Sequence, residues 1–130
     1  MQHGYRAPGC GVIISALENG LKKPGSDELI CEKVVTGKPN PLAIDLIRGQ
    51  HGIPESDLKK MIMFGDRPNT DIQLANNAGI DSCLVLSGVT RNEEEALEWI
   101  AQDPKNQPTY VMPQFGDDIN GNPELALPTE

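Results

Sequence analysis

The stretch Met61-Ile62-Met63-Phe64-Gly65-Asp66-Arg67-Pro68-Asn69-Thr70-Asp71-Ile72 sets an unbroken apolar run directly before two carboxylates five residues apart. A continuous apolar run suits a parallel strand buried on both faces, and in open α/β sheets ligands gather just beyond the carboxyl ends of such strands. Asp66 and Asp71 fall at that position, and the stretch is expected to be a metal-holding strand end.

Outward from this strand, the pattern alternates. Upstream, Asn40 has the character of an N-cap with Pro41 at the first helical position, followed by Leu42, Ala43, Ile44, Leu46 and Ile47 and a stop at Gly52. Before it, Lys33-Val34-Val35 forms a short candidate strand that runs into Thr36-Gly37-Lys38-Pro39. Earlier still, apolar residues at 12, 13, 14, 16, 17 and 21 predict a largely buried helix over 12–21, stopped near Gly20 after a turn at Ala7-Pro8-Gly9-Cys10-Gly11. Pro24-Gly25-Ser26-Asp27-Glu28 is a loop.

Downstream, a helix is expected from about Asp71 to Asn77 with Gly79 as its stop, then a buried strand at Asp81-Ser82-Cys83-Leu84-Val85-Leu86. Thr90-Arg91-Asn92-Glu93 has the spacing of a capping box opening an acidic helix through Ala96, Leu97 and Ile100, and Tyr110-Val111-Met112 supplies a last short strand. Such order predicts an α/β fold, a Rossmann-like parallel sheet with flanking helices and right-handed crossovers. The tail beyond Gly116 is polar and is expected to fray.

Composition narrows the function. The 130 residues allow one domain with a modest core, and a net charge of −8 argues against a nucleic-acid partner, whose phosphates would need Lys and Arg. Three cysteines, Cys10, Cys31 and Cys83, form no CxxC pair, so neither a disulfide framework nor a zinc site is indicated and the reducing cytoplasm fits best. No stretch approaches the about 18 apolar residues of a membrane span, and the N-terminus lacks the order of a signal peptide, so no membrane association is expected.

A lysine in the sharp Gly37-Lys38-Pro39 turn and the acidic pair after the next strand share a phosphate-transfer logic. A hard cation such as Mg²⁺ prefers carboxylate oxygens and water, while a neighbouring ammonium neutralises phosphate oxygens as charge shifts. Each element taken alone is weak. Two aspartates at this spacing more commonly cap a helix, and Lys38 lacks the Ser or Thr and upstream glycine of a nucleotide-binding P-loop. His51 in a last helical turn, Cys83 in a buried strand, the glutamates at 93–95 and Trp99 have plainer structural readings.

Together, Gly37-Lys38-Pro39-Asn40-Pro41 and Gly65-Asp66-Arg67 through Thr70-Asp71-Ile72 resemble the third and fourth motifs of the haloacid dehalogenase (HAD) superfamily of phosphatases. Pro8-Gly9-Cys10-Gly11 and Leu86-Ser87-Gly88-Val89-Thr90 are similar to its cap-bearing 4-nitrophenylphosphatase and phosphoglycolate phosphatase branch, and the likeness covers roughly residues 7–116. The resemblance implies a Mg²⁺-dependent phosphomonoesterase acting on a small phosphorylated metabolite through a covalent aspartyl-phosphate. It implies that Lys38 orients the nucleophile and binds phosphate, that Asp66 ligates Mg²⁺, that Asp71 ligates or supports it through water, and that Gly65, Arg67 and Thr70 brace the loop.

The 130 residues contain no Asp-x-Asp, the family's nucleophile motif, and no counterpart of the Ser or Thr motif that follows it. Pro68 in the metal loop and a longer connection over 24–32 are smaller departures. The chain is therefore expected to be a fragment, inactive alone, with 1–31 the end of a cap domain and its return linker, 32–116 the second half of the core, and 117–130 a polar tail. The alternative is a non-catalytic HAD-like domain that binds or assembles, for instance as a homodimer through an open sheet edge.

Overall fold

The structure, a computed structural model, describes residues 9–115. The chain divides into two compact units, Met1–Val34 and Val35–Glu130. The expected tail beyond Gly116 lies outside the described residues.

In the first unit, helix α1 spans Cys10–Gly20 and ends where the Leu21 N–H reaches the carbonyls of Leu17 and Glu18. A turn follows, closed by an antiparallel bridge between Lys22 and Leu29 and rounded at Gly25, whose φ of 73° favours glycine. Ion pairs Lys22–Asp27 and Lys23–Glu28 lie across it at 2.6 and 2.7 Å. The expected burial of α1 is overturned: no residue of the helix is buried, and Ile13 and Leu17 are 65% and 62% exposed. A helix gains burial only against another element, and the described residues of this unit supply one helix and one bridged turn. The expected strand at Lys33-Val34-Val35 is likewise absent, the segment having no regular structure. β-branched residues make a strand only where a neighbouring ladder accepts their backbone, and none of the strands pairs with this segment.

The second unit is a parallel three-stranded sheet in the order β1-β2-β3, formed by β1 (Ile62–Gly65), β2 (Asp81–Val85) and β3 (Tyr110–Met112). Ile62 stands opposite Asp81 and Gly65 opposite Leu84; on the other side Cys83 stands opposite Tyr110 and Val85 opposite Met112. The central strand β2 is buried from Ser82 to Val85, and burial raises the Cys83 thiol pKa above its ordinary value. β1 departs from the expectation of burial on both faces: its residues alternate, Ile62 and Phe64 remaining exposed on one face while Met63 packs inward on the other. Phe64 meets Phe115 edge to face with ring centroids 5.0 Å apart.

Helix α2 (Leu42–His51) starts one residue later than expected, yet the Asn40 side chain still accepts the Leu42 N–H at 2.9 Å, and Gly52 closes the helix at a left-handed φ of 64°. Between β1 and β2 the chain winds through a wide π-type turn, Pro68–Ile72, straight into α3 (Gln73–Ala78), which Gly79 ends at φ 74°. Helix α4 (Glu93–Gln102) is capped by Asn92, whose side chain accepts the Glu95 N–H at 2.8 Å, while the Glu95 carboxylate takes the Arg91 N–H and pairs with the Arg91 guanidinium. The capping role thus falls on Asn92 and not on Thr90, which is buried with its N–H turned to the Asp66 carbonyl. Trp99 is half-buried on α4.

Two apolar clusters hold this unit. One joins Ile44 of α2 to Leu74 and Ala75 of α3 and to Ile80; the other joins Ile72, Leu84, Ala96 and Val111 across the sheet and α4. Leu84 is fully buried at the centre of the second, whereas Leu46 on α2 is 64% exposed. Leu84→Ala is expected to lower the unfolding free energy by about 2–5 kcal/mol. Leu46→Ala is expected to change it by less than about 0.5 kcal/mol. Urea denaturation followed by circular dichroism measures both; equal effects would show that the sheet centre is not the core.

Candidate functional site

The chain reaches its first functional side chain where β1 gives out. Gly65 ends the strand and Asp66 follows, half-buried, with Oδ2 accepting the Val89 N–H at 2.8 Å and its main-chain carbonyl accepting the Thr90 N–H at 3.1 Å. Both donors belong to the segment that leaves β2, so the carboxyl ends of two adjacent parallel strands converge on one aspartate. Asp66 Oδ1 takes no hydrogen bond among the described residues.

Asp71 sits in the turn between β1 and α3 and is 4% exposed. Its Oδ1 accepts from Lys38 Nζ at 2.6 Å and its Oδ2 from the Arg67 N–H at 3.1 Å. A carboxylate this enclosed must be neutralised or hydrogen-bonded, and here both conditions are met. Gly65 makes the approach feasible, since a Cβ at that position would overlap the Asp71 side chain. Thr70 closes the turn, its N–H and hydroxyl both directed to the Arg67 carbonyl, at 3.3 and 3.4 Å. Arg67 contributes through its backbone; its side chain is exposed and makes no ion pair among the described residues.

Lys38 comes from 33 residues upstream of Asp71 and is carried on a tight turn. The Asn40 N–H closes that turn on the Gly37 carbonyl at 3.0 Å, the Asn40 side-chain amide donates to the Val35 carbonyl at 2.7 Å, and Asn77 of α3 donates to the Pro39 carbonyl at 3.0 Å. The turn that carries the lysine is thereby held by Asn40, just before α2, and by Asn77 of α3. The Lys38 side chain keeps 50% of its surface exposed, which leaves the ammonium reachable by a ligand.

All six residues singled out in the sequence, Lys38, Gly65, Asp66, Arg67, Thr70 and Asp71, thus lie in one region, through the contacts just described. Sequence reasoning counted Gly88, Val89 and Thr90 in a family-like stretch and Thr90 in a capping box, but gave none of them a role at the site. The available signal was topological: they follow the second buried strand as Asp66 follows the first, and the crevice beyond such strand ends is where ligands bind.

Hard carboxylate oxygens are the donors Mg²⁺ prefers, and the open Oδ1 of Asp66 fits one corner of its roughly six-oxygen shell. The described residues hold no group of three or more His, Cys, Asp or Glu that could complete a metal site. They supply part of a ligand set. An open hollow of about 420 Å³ lined by Asp45, Arg48, Gly49, Gly52 and Ile53 lies at the end of α2 and shares no residue with the carboxylates. No helix among the described residues is long and apolar enough to cross a membrane.

Comparison with known proteins identifies the family. Residues 35–118 match the HAD-hydrolase-like family. The chain is 42% identical over 111 residues to chloroplastic phosphoglycolate phosphatase 1A of Arabidopsis thaliana, covering 84% of this chain and 26% of that protein. The solved p-nitrophenyl phosphatase of Archaeoglobus fulgidus superimposes with a TM-score of 0.62 at 28% identity, over 83% of this chain and 37% of that one. A glycerol phosphate phosphatase of Mycobacterium tuberculosis, solved in complex with magnesium, does so with a TM-score of 0.57 at 29% identity, over 81% of this chain and 27% of that one. The chain spans about a third of the length of the curated relatives it matches. The family match over residues 35–118, more than half of the chain and spanning its parallel sheet, places the chain in the HAD-like hydrolase family.

Proposed function

We propose that this chain forms the second half of the catalytic core of a Mg²⁺-dependent phosphomonoesterase. The observation that carries the reading is the 2.6 Å contact between Lys38 and the buried Asp71, joining residues 33 positions apart beside Asp66. A lysine fixed by a carboxylate yet half open to solvent suits a phosphate group, whose oxygens it can neutralise without needing to be ordered first.

In this reading a nucleophilic aspartate carried outside these 130 residues attacks phosphorus as the bond to the ester oxygen breaks, that oxygen takes a proton from water and leaves as an alcohol or phenol, and water then cleaves the aspartyl-phosphate to release inorganic phosphate. Lys38 orients that nucleophile and binds the phosphate. Asp66 ligates the cation and Asp71 ligates or supports it through water, while Gly65, Arg67 and Thr70 hold the loop. Bound there, Mg²⁺ would offset negative charge on the transferring phosphoryl group. Residues 32–116 act as core, residues 1–31 as the end of a cap and its linker, and 117–130 as a tail.

Substrates of the type named for the relatives, small phosphate monoesters such as phosphoglycolate or 4-nitrophenyl phosphate, follow from that likeness. The acidic charge disfavours nucleic acid, and the unpaired cysteines suit the cytoplasm. A second reading, assembly without catalysis, is favoured by one observation: β1 is an edge strand with Ile62 and Phe64 exposed.

The purified chain alone is expected to release no phosphate from 4-nitrophenyl phosphate with Mg²⁺ or with EDTA. Metal-dependent turnover abolished by Asp66→Asn would mean that the chain holds its own nucleophile, and the half-core reading would be wrong. In a protein that also carries an upstream Asp-x-Asp strand, Lys38→Ala and Asp66→Asn are each expected to lower phosphate release by about 10²-fold or more. Near-normal release from either variant would refute its assigned role. Light scattering at micromolar concentration separates the second reading, which requires a dimer where the half-core reading is content with a monomer.

A further inference from the structure

The segment after β2 grips Asp66 in a way that binding a cation does not by itself require. The Val89 N–H donates to Asp66 Oδ2 at 2.8 Å, and the Thr90 N–H donates to the Asp66 carbonyl at 3.1 Å. Gly88 passes so close that a Cβ there would overlap Oδ2, Cβ and Cγ of the same aspartate. Three consecutive residues therefore engage the main chain and the side chain of one residue 23 positions before Val89. Thr90 is fully buried and seats the turn, whereas Val89 is 44% exposed. An exposed turn would ordinarily leave its N–H to water; this one gives it to a carboxylate.

Holding an aspartate at its carbonyl and at one carboxylate oxygen fixes χ1 and χ2 together. With Oδ2 engaged and Gly88 against the Cβ, other rotamers lose the hydrogen bond or meet the turn, and Oδ1 is the oxygen left without a hydrogen bond among the described residues. We infer that Gly88-Val89-Thr90 is a positioning turn, in which the Val89 N–H sets the Asp66 rotamer and leaves Oδ1 as the oxygen offered to a divalent cation. The cation rests on the function proposed above. The grip does not.

Nuclear magnetic resonance on the full chain tests the grip without metal or substrate. Three-bond couplings to Asp66 Cγ are expected to report one χ1 rotamer in the unaltered chain, averaged rotamers in Gly88→Ala, and no change in the control Gly49→Ala, where a Cβ meets nothing within 4 Å. Independently, the Val89 amide is expected to exchange with solvent about 10-fold faster in Asp66→Ala and to keep its protection in Asp66→Asn, which retains an acceptor oxygen. If Gly88→Ala fails to fold, the exchange comparison decides alone. Averaged Asp66 couplings in the unaltered chain, or a Val89 amide indifferent to Asp66→Ala, would overturn the inference. Failure of the phosphatase reading would appear in turnover and leave both readouts as they are.

Discussion

The site depends on how a nearly buried carboxylate is supplied with hydrogen-bond donors. Asp71 has lost most of its contact with water, and the two groups that replace it come from different parts of the chain: Lys38 Nζ at 2.6 Å and the Arg67 N–H at 3.1 Å. Because the lysine remains half in solvent, its attraction is screened and is closer to a surface pair than to a sealed one. The backbone donor therefore matters beyond its size. It is fixed by the turn itself, since Arg67 also accepts from Asp71 N at 2.9 Å and from Thr70. Removing the lysine would leave a carboxylate with one donor in a place where water is scarce, and the turn would have to open to rehydrate it.

The two aspartates of the loop divide the work that this arrangement permits. Asp71 has both oxygens engaged, which makes it a fixed point for the lysine. Asp66 has one oxygen engaged and one open, which makes it the carboxylate able to take on a new partner. Mg²⁺ would need more oxygens than Asp66 offers, drawn from water, phosphate and groups outside the described residues. A site whose charges are fixed beforehand has little reorganisation to undergo when a charged ligand binds.

Much of this was legible in the sequence because it was local. The apolar run before Gly65 gives β1 to within one residue, Asn40 with Gly52 brackets α2, and Gly79 ends α3, each through chemistry confined to a few neighbours. The contact between Lys38 and Asp71 is not local: shared chemistry and the family resemblance suggested one site, but no local pattern carries a contact across 33 positions. What failed depended on partners. The apolar positions of α1 have the density of a buried helix but lie exposed in their unit, and Val34 and Val35 have strand propensity with no ladder to join. The cap of α4 is Asn92 and not Thr90 because the helix starts at Glu93, while Thr90 sits buried with its N–H on the Asp66 carbonyl, a contact across 24 positions that no local pattern carries.

Glycine has a different use at the site from its use in the turns. Gly52 and Gly79 serve their helix ends through a left-handed backbone, which is legible from spacing alone. Gly65 and Gly88 have no such conformation; they are needed because a side chain of the adjoining segment passes where their own Cβ would be, Asp71 over the first and Asp66 over the second. Each of the two carboxylates thus lies against a glycine from the end of a neighbouring strand or the turn beyond it, and neither could come so near a residue with a side chain. The same close approach brings backbone N–H groups within reach of both carboxylates. A glycine at one strand end and another in the turn beyond the next are what let both carboxylates sit against backbone N–H groups.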